Sequence, residues 1–324
     1  MVGPPRSWLL AVYLAAPLLA LVAAVDATWL GHALRDGSPA APMSLPGYAL
    51  VFGMPHILAS FFALADPAVA RACRPVILPA AWWAGLAALA ITPFVGQAWA
   101  EGAIVAWTMV HVLGQQSGLA VGQALGRSGL LAAGSWAWAA RVWRWLVAAV
   151  GVAAGLALGG EAGTRLVGEP AVWLVAAGVL LLLSTPVATL LATAARARGG
   201  RPQALLALQA TLGGAWGLVL AGYPLLGIVL LRWVHDASAF LHYAALANAR
   251  ETALPGANRL YRLLGLAGRR PGWWLWPLSC VLVLALAPVV PVAVSLWLVF
   301  THYLVEHRLW RHDSPLRQAT AAPP

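Results

Sequence analysis

The chain has 324 residues, of which 61% are hydrophobic and only 9% charged, with a mean hydropathy of +0.79. Soluble domains carry about 25% charged residues, so this chain lacks the polar surface to cover itself in water, which excludes a Rossmann domain. Two cysteines, Cys73 and Cys280, exclude a disulfide framework and a cysteine-rich metal site, and Cys280 reads as a small packing residue. The net charge of +10 comes from 20 basic residues, all arginine, and the distribution of those arginines decides what the charge means.

The apolar residues fall in long runs that match the roughly 20 residues a helix needs to cross about 30 Å of hydrocarbon. Strands of a membrane barrel would alternate instead. In chain order the runs predict spans at 8–34, 46–66, 76–97, 101–126, 140–160, 171–195, 203–222, 225–249, 272–287 and 292–311. The first is preceded by Arg6 and contains Ala23-Ala24-Val25-Asp26-Ala27, which superficially fits a signal peptide. Its apolar run is longer than a usual signal core, so it is kept as a span. The seventh and eighth spans meet at Tyr223-Pro224, and the ninth and tenth around Pro288 to Pro291. Each junction is either a turn or a proline kink. The expected fold class is all-α: a polytopic integral membrane protein of about ten transmembrane helices (eight to ten, roughly). Residues 1–313 form a single transmembrane domain in this reading, 250–271 its longest cytoplasmic loop, and 314–324 a disordered tail.

The arginines sort by side. Arg6, Arg71, Arg74, Arg127, Arg141, Arg144, Arg196, Arg198 and Arg201 fall on one side, followed by Arg250, Arg259, Arg262, Arg269, Arg270, Arg308, Arg311 and Arg317. Arg35 and Arg165 fall on the other, and Arg232 lies inside the eighth span. By the positive-inside rule both termini are cytoplasmic, and the expected location is a bacterial cytoplasmic membrane. The charge is thus topology, with no nucleic-acid partner implied. Trp136, Trp138, Trp143, Trp145, Trp273, Trp274, Trp276 and Trp310 cluster at the cytoplasmic helix ends, as interfacial anchors do.

Four histidines stand at one counted depth. His56, His111, His235 and His302 each lie ten residues into spans two, four, eight and ten, or about 15 Å at 1.5 Å per residue. Ionisable groups at that depth are costly and mark ion or substrate paths, and imidazole is the commonest transition-metal ligand. A shared metal site follows as the expectation. One turn deeper on the same helical faces stand Ser60, Gln115, Ser238 and Glu306, polar groups suited to orient the rings. His242, seven residues after His235, is a fifth candidate ligand, proton carrier or gate. Glu306 is a candidate ligand or orienting base, and Gln115 an orienting residue. Asp236 and His307 point away from their neighbours and rank lower. His32 and His312 lie near span ends. Asp26 reads as structural, paired with Arg35 or His32, and Arg232 as an anion contact or a snorkelling side chain.

A histidine set with a carboxylate suits iron, zinc or copper. At hydrocarbon depth the substrate is a hydrophobe entering from the bilayer, and iron with O₂ is the chemistry that attacks an unactivated carbon–carbon bond. Phe52-Gly53-Met54-Pro55-His56 resembles the Gly-Leu-Pro-His motif of the Brp/Blh-type β-carotene cleavage dioxygenases. His111-Val112-Leu113-Gly114 is similar in position to that family's His-Phe-Gly segment, His235 with His242 to its paired-histidine helix, and Thr301-His302-Tyr303 to its late Pro-His-Met segment. Where the family's second helix-borne histidine comes after four residues, this chain has Ala239. The resemblance implies a helical membrane protein holding non-haem Fe(II) with His56, His111 and His235, and using O₂ to cleave a carotenoid-like or other lipid substrate. Two other classes compete. One is an electron-transfer protein with bis-histidine haem b. The other is a proton- or metal-coupled transporter, toward which the proline-interrupted spans point. A histidine-box desaturase lacks its paired His-His boxes.

Overall fold

The computed structural model describes residues 4–39, 52–95, 97–125, 134–158, 169–266, 270–286, 289–290 and 292–309. All regular structure among them is helical, with no strand. In chain order the α-helices are α1 (Arg6–Tyr13), α2 (Ala15–Trp29), α3 (Ala33–Gly37), α4 (Met54–Phe62), α5 (Pro67–Val95), α6 (Gln97–Leu125) and α7 (Gly134–Leu158). They continue as α8 (Pro170–Ala197), α9 (Gln203–Leu220), α10 (Pro224–Ala253), α11 (Arg259–Leu266), α12 (Leu275–Leu286) and α13 (Val292–Leu309). Short 3-10 turns follow α4 at Ala63–Ala65 and precede α12 at Pro271–Trp274.

Six stretches among the described residues are long and apolar enough to cross a membrane: Ser7–Trp29, Pro67–Ala90, Gly134–Ala157, Pro170–Ala197, Gln203–Leu220 and Pro224–Ala253. Met54–Ala65, Pro271–Leu286 and Val294–Glu306 are apolar but shorter. Leu18, Trp82, Trp83, Leu89, Leu182 and Val281 stand more than half exposed, an outward face that suits hydrocarbon. With the composition, these helices mark a membrane protein.

Several boundaries differ from the sequence expectation for local reasons. The first span stops at Trp29 because Gly31 and His32 take left-handed backbone angles of 59° and 67°, which end a helix. The helix of span two begins only at Met54. The third begins nine residues early, at Pro67. Asp66 accepts the N–H of Ala68 at 2.8 Å, and Pro67 sits where a missing N–H costs nothing. α9 and α10 are separate helices rather than one kinked rod, divided by Gly222 at φ 86°. α10 runs on to Ala253, and the loop predicted after it contains α11. The tail after Ser314, together with Trp310 and His312, lies outside the described residues.

The chain divides into two compact units. The first comprises Met1–Leu9, Gly47–Val95 and Asp236–Pro324. Here α13 packs against α4 and α5, and α12 against α4. One core cluster joins Ala63, Val69, Cys73, Leu246 and Val305, and a second joins Ala59, Ala239, Tyr243, Ala247, Tyr261 and Leu275. Polar ties pin the same elements. Asp66 Oδ2 takes the buried Arg250 Nε at 2.6 Å, and Asn258 caps α11 through Tyr261 N while donating to Phe62 O at 2.9 Å. Burial holds the Tyr261 hydroxyl well above the ordinary phenol range, so it stays neutral. Gly272 is obligatory: a side chain there would collide with the Ala244 carbonyl of α10.

The second unit comprises Leu10–Pro46 and Gly96–His235. α8 packs on α7, which packs on α6, and α9 lies against α6, α8 and α2. Trp143 is fully buried in its core with Leu113, Leu191, Leu205 and Leu208. It is therefore no interfacial anchor, unlike the exposed Trp138 and Trp145. Its indole N–H donates to Gln209 Oε1 at 3.1 Å, and Gln209 Nε2 donates to Ser184 Oγ and Thr185 Oγ1. Along α8, Thr185, Thr189 and Thr193 each return their hydroxyl to the carbonyl four residues back. Asp26 is structural, as expected, but with other partners. It accepts the backbone N–H groups of Leu34 and Arg35 and the Tyr223 hydroxyl at 2.9 Å, while the Arg35 guanidinium turns to Asp36.

Candidate metal centre

Three elements of the first unit build the site. Each residue of the Gly-Met-Pro-His turn has a local role. Gly53 takes φ 89°, a region open to glycine, and its N–H donates to Asp236 Oδ2 at 3.0 Å. Pro55 occupies the first turn of α4, where no donor is needed. His56 follows, buried, as the third residue of the helix. The ten-residue depth counted for it therefore does not describe how the helix carries it. On α13, His302 and Glu306 stand one turn apart on one face, both buried. On α10, Tyr243 donates its hydroxyl to Glu306 Oε1.

His56 Nε2 lies 3.4 Å from Glu306 Oε1, and His302 Nε2 lies 3.5 Å from Glu306 Oε2. One ligand atom from each of the three residues falls within 4.8 Å of the others. Two donors about 2.1 Å from a common ion stand roughly 3.0–3.4 Å apart in octahedral or tetrahedral geometry, so the set fits a transition metal. The hydrogen-bond chemistry agrees. Ser60 Oγ donates its one hydrogen to Ile57 O at 2.7 Å, so at 2.8 Å it accepts from His302 Nδ1. That fixes the tautomer and turns the Nε2 lone pair toward the carboxylate. A lone pair and a carboxylate oxygen facing each other repel unless a cation or proton stands between them.

The ring of His56 meets His302 edge-on at 4.7 Å and packs against Tyr243 and Phe240 at 5.8 and 6.2 Å. In the second unit, His111 and His235 form their own edge-to-face pair with centroids 5.3 Å apart. One turn from His111, both amide atoms of Gln115 are buried with no hydrogen-bond partner among the described residues. Imidazoles on opposite faces of a haem iron need centroids about 6 Å apart, given metal–nitrogen bonds of about 2 Å. The two pairs among the described residues stand 4.7 and 5.3 Å apart.

Of the residues singled out by sequence, the first unit brings His56, His302, Glu306 and Ser60 together. Ser60 serves His302 on another helix rather than the His56 above it. His242 is not in the group: its Nδ1 donates to Ser238 O at 2.7 Å. Asp236, ranked low, holds the turn before His56. The side chain of His307 lies outside the described residues. Tyr243 and Phe240 were missed, although a signal exists: Asp236, Phe240 and Tyr243 follow at i, i+4 and i+7, one face of α10.

Compared with protein-family models, with curated proteins and with solved structures, the chain matches none.

Proposed function

We propose that this protein is an integral-membrane, non-haem-iron oxygenase that acts with O₂ on a hydrophobic substrate of the carotenoid or lipid class. The observation that carries the reading is the convergence of two buried imidazoles on the two oxygens of one carboxylate. Two histidines and one carboxylate with open positions form the donor set of iron oxygenases. The resemblance of the Gly-Met-Pro-His turn to the Brp/Blh family points the same way, as does the membrane setting. In this reading about ten spans cross the membrane with both termini cytoplasmic.

Iron bound there would supply activation of O₂ toward an otherwise inert carbon bond. The chain's own residues do the rest. Ser60 holds His302 in one tautomer, and Tyr243 holds the Glu306 carboxylate. Phe240 and Tyr243 wall His56 from water, so the site stays dry for an apolar substrate. His111 and His235 are further candidate ligands.

Metal analysis of the purified full-length protein after reconstitution with Fe(II) tests this. Stoichiometric iron is expected in the parent and its loss in His56→Ala, His302→Ala and Glu306→Ala. A parent without iron affinity, or retention by all three variants, would overturn the reading. The same measurement on His111→Ala, His235→Ala and His242→Ala says whether those histidines contribute.

A further inference from the structure

A second candidate site lies apart from the histidines, at the start of α5. Pro67, Ala70, Arg71, Arg74, Ile77 and Leu78 recur every three to four residues and so form one stripe of this helix. With Leu64 they line an open groove of about 430 Å³, within the roughly 300–1,000 Å³ of pockets that hold small ligands. The groove has two chemistries in sequence. Arg71 and Arg74 stand exposed in its middle, a turn apart, with Leu64, Pro67 and Ala70 toward one end, and the root of the Arg71 guanidinium is fixed by its Nε donating to Pro67 O at 3.3 Å. Toward the other end come Ile77 and the exposed Leu78, and the same helix continues into the exposed Trp82 and Leu89.

The nearby acid does not cancel the two arginines. Asp66 is buried and paired with Arg250 at 2.6 Å. Leu64 and Ile77 pack onto the core cluster around Cys73, so the floor of the groove is part of the folded unit. Two exposed guanidiniums with no carboxylate paired to them among the described residues, beside an apolar channel on a helix apolar enough to cross a membrane, match one ligand chemistry: a phosphate bearing acyl chains.

We propose that this groove binds an anionic phospholipid, with the phosphate on Arg71 and Arg74 and a chain along Ile77 and Leu78. The site orders a lipid at the arginine-bearing end of α5 and gives the protein a preference for acidic membranes.

The test is binding of phosphatidylglycerol, against phosphatidylcholine, to the detergent-solubilised full-length protein, read by native mass spectrometry. The parent is expected to retain phosphatidylglycerol selectively. Arg71→Gln/Arg74→Gln should weaken that retention about 30-fold, two charges at about 1 kcal/mol each. The control Arg196→Gln/Arg198→Gln, which removes two exposed arginines of α8 and its C-cap, should change it less than threefold. Leu78→Trp fills the channel with both charges intact and should also weaken retention, which decides the matter if the double arginine variant does not fold. Equal loss in the control, parent-like retention in Leu78→Trp, or displacement of the lipid by millimolar inorganic phosphate would overturn the proposal.

Discussion

Replacing Ser60 with alanine isolates the step from hydrogen bond to metal affinity. The substitution keeps the helix, since alanine has the best helix propensity, and it removes only the oxygen that accepts from His302 Nδ1 at 2.8 Å. His302 is fully buried, so its N–H is left without that acceptor, at a cost of about 1–3 kcal/mol. Part of this appears as lower stability of the metal-free protein. The rest appears as metal affinity, because the ring is no longer held with Nε2 toward Glu306. Loss of such a partner lowers affinity about 10–100-fold, or roughly 1.4–2.7 kcal/mol. Competition of Fe(II), or of Co(II) as an air-stable probe, against a chelator gives the affinity, and thermal unfolding of the metal-free protein gives the stability term. If Ser60→Ala keeps parental affinity while His302→Ala loses it, the tautomer argument is wrong. If both keep it, His302 is not a ligand.

Four other outcomes are expected. Gly53→Ala forces a side chain into φ 89° at a cost of about 1–2 kcal/mol and shifts His56, so bound metal and melting temperature should both fall. Arg250→Ala strands the buried Asp66 and should destabilise the protein by about 3–5 kcal/mol; pairing it with Asp66→Asn should recover much of the loss in chemical unfolding. Gln209→Leu leaves the Trp143 indole N–H unmet, costing about 1–3 kcal/mol, which should appear as a lower melting temperature. Burial, and then the Asp26 carboxylate, raise the Tyr223 phenol above its ordinary value. The unfolded chain therefore ionises first, and stability from this group is intact below about pH 10. It declines as the pH rises further, and Tyr223→Phe should flatten the alkaline limb of the melting profile.

How much of this was readable from sequence depends on the range of each interaction. Composition and apolar runs carry helicity and the membrane because they are local averages. His302 and Glu306 were readable as a pair because i and i+4 share a face. Ser60 was found for a partly wrong reason: the same rule placed it under His56, whereas its partner His302 is 242 positions away on another helix. The face that carries Tyr243 was readable from its spacing, but its bond to Glu306 was not, since an aromatic in an apolar run gives no sign of a carboxylate on α13. Arg250 and Asp66 looked like a loop charge and a helix end until the fold brought them to 2.6 Å. The start of α4 was misjudged because apolar residues before Gly53 continue the hydropathy signal past the point where its φ permits a helix.

The threonines of α8 bear on what the protein presents to its surroundings. Thr189 and Thr193 are exposed, and each hydroxyl is already bonded to its own helix. To an acyl chain they offer methyl groups and a satisfied oxygen. They have no donor to lend to a neighbouring helix, which is the usual polar adhesive in a bilayer. A hydropathy scale counts them as polar positions, yet with both hydroxyl hydrogens used on the helix's own backbone this flank of α8 presents mainly methyl groups to its surroundings.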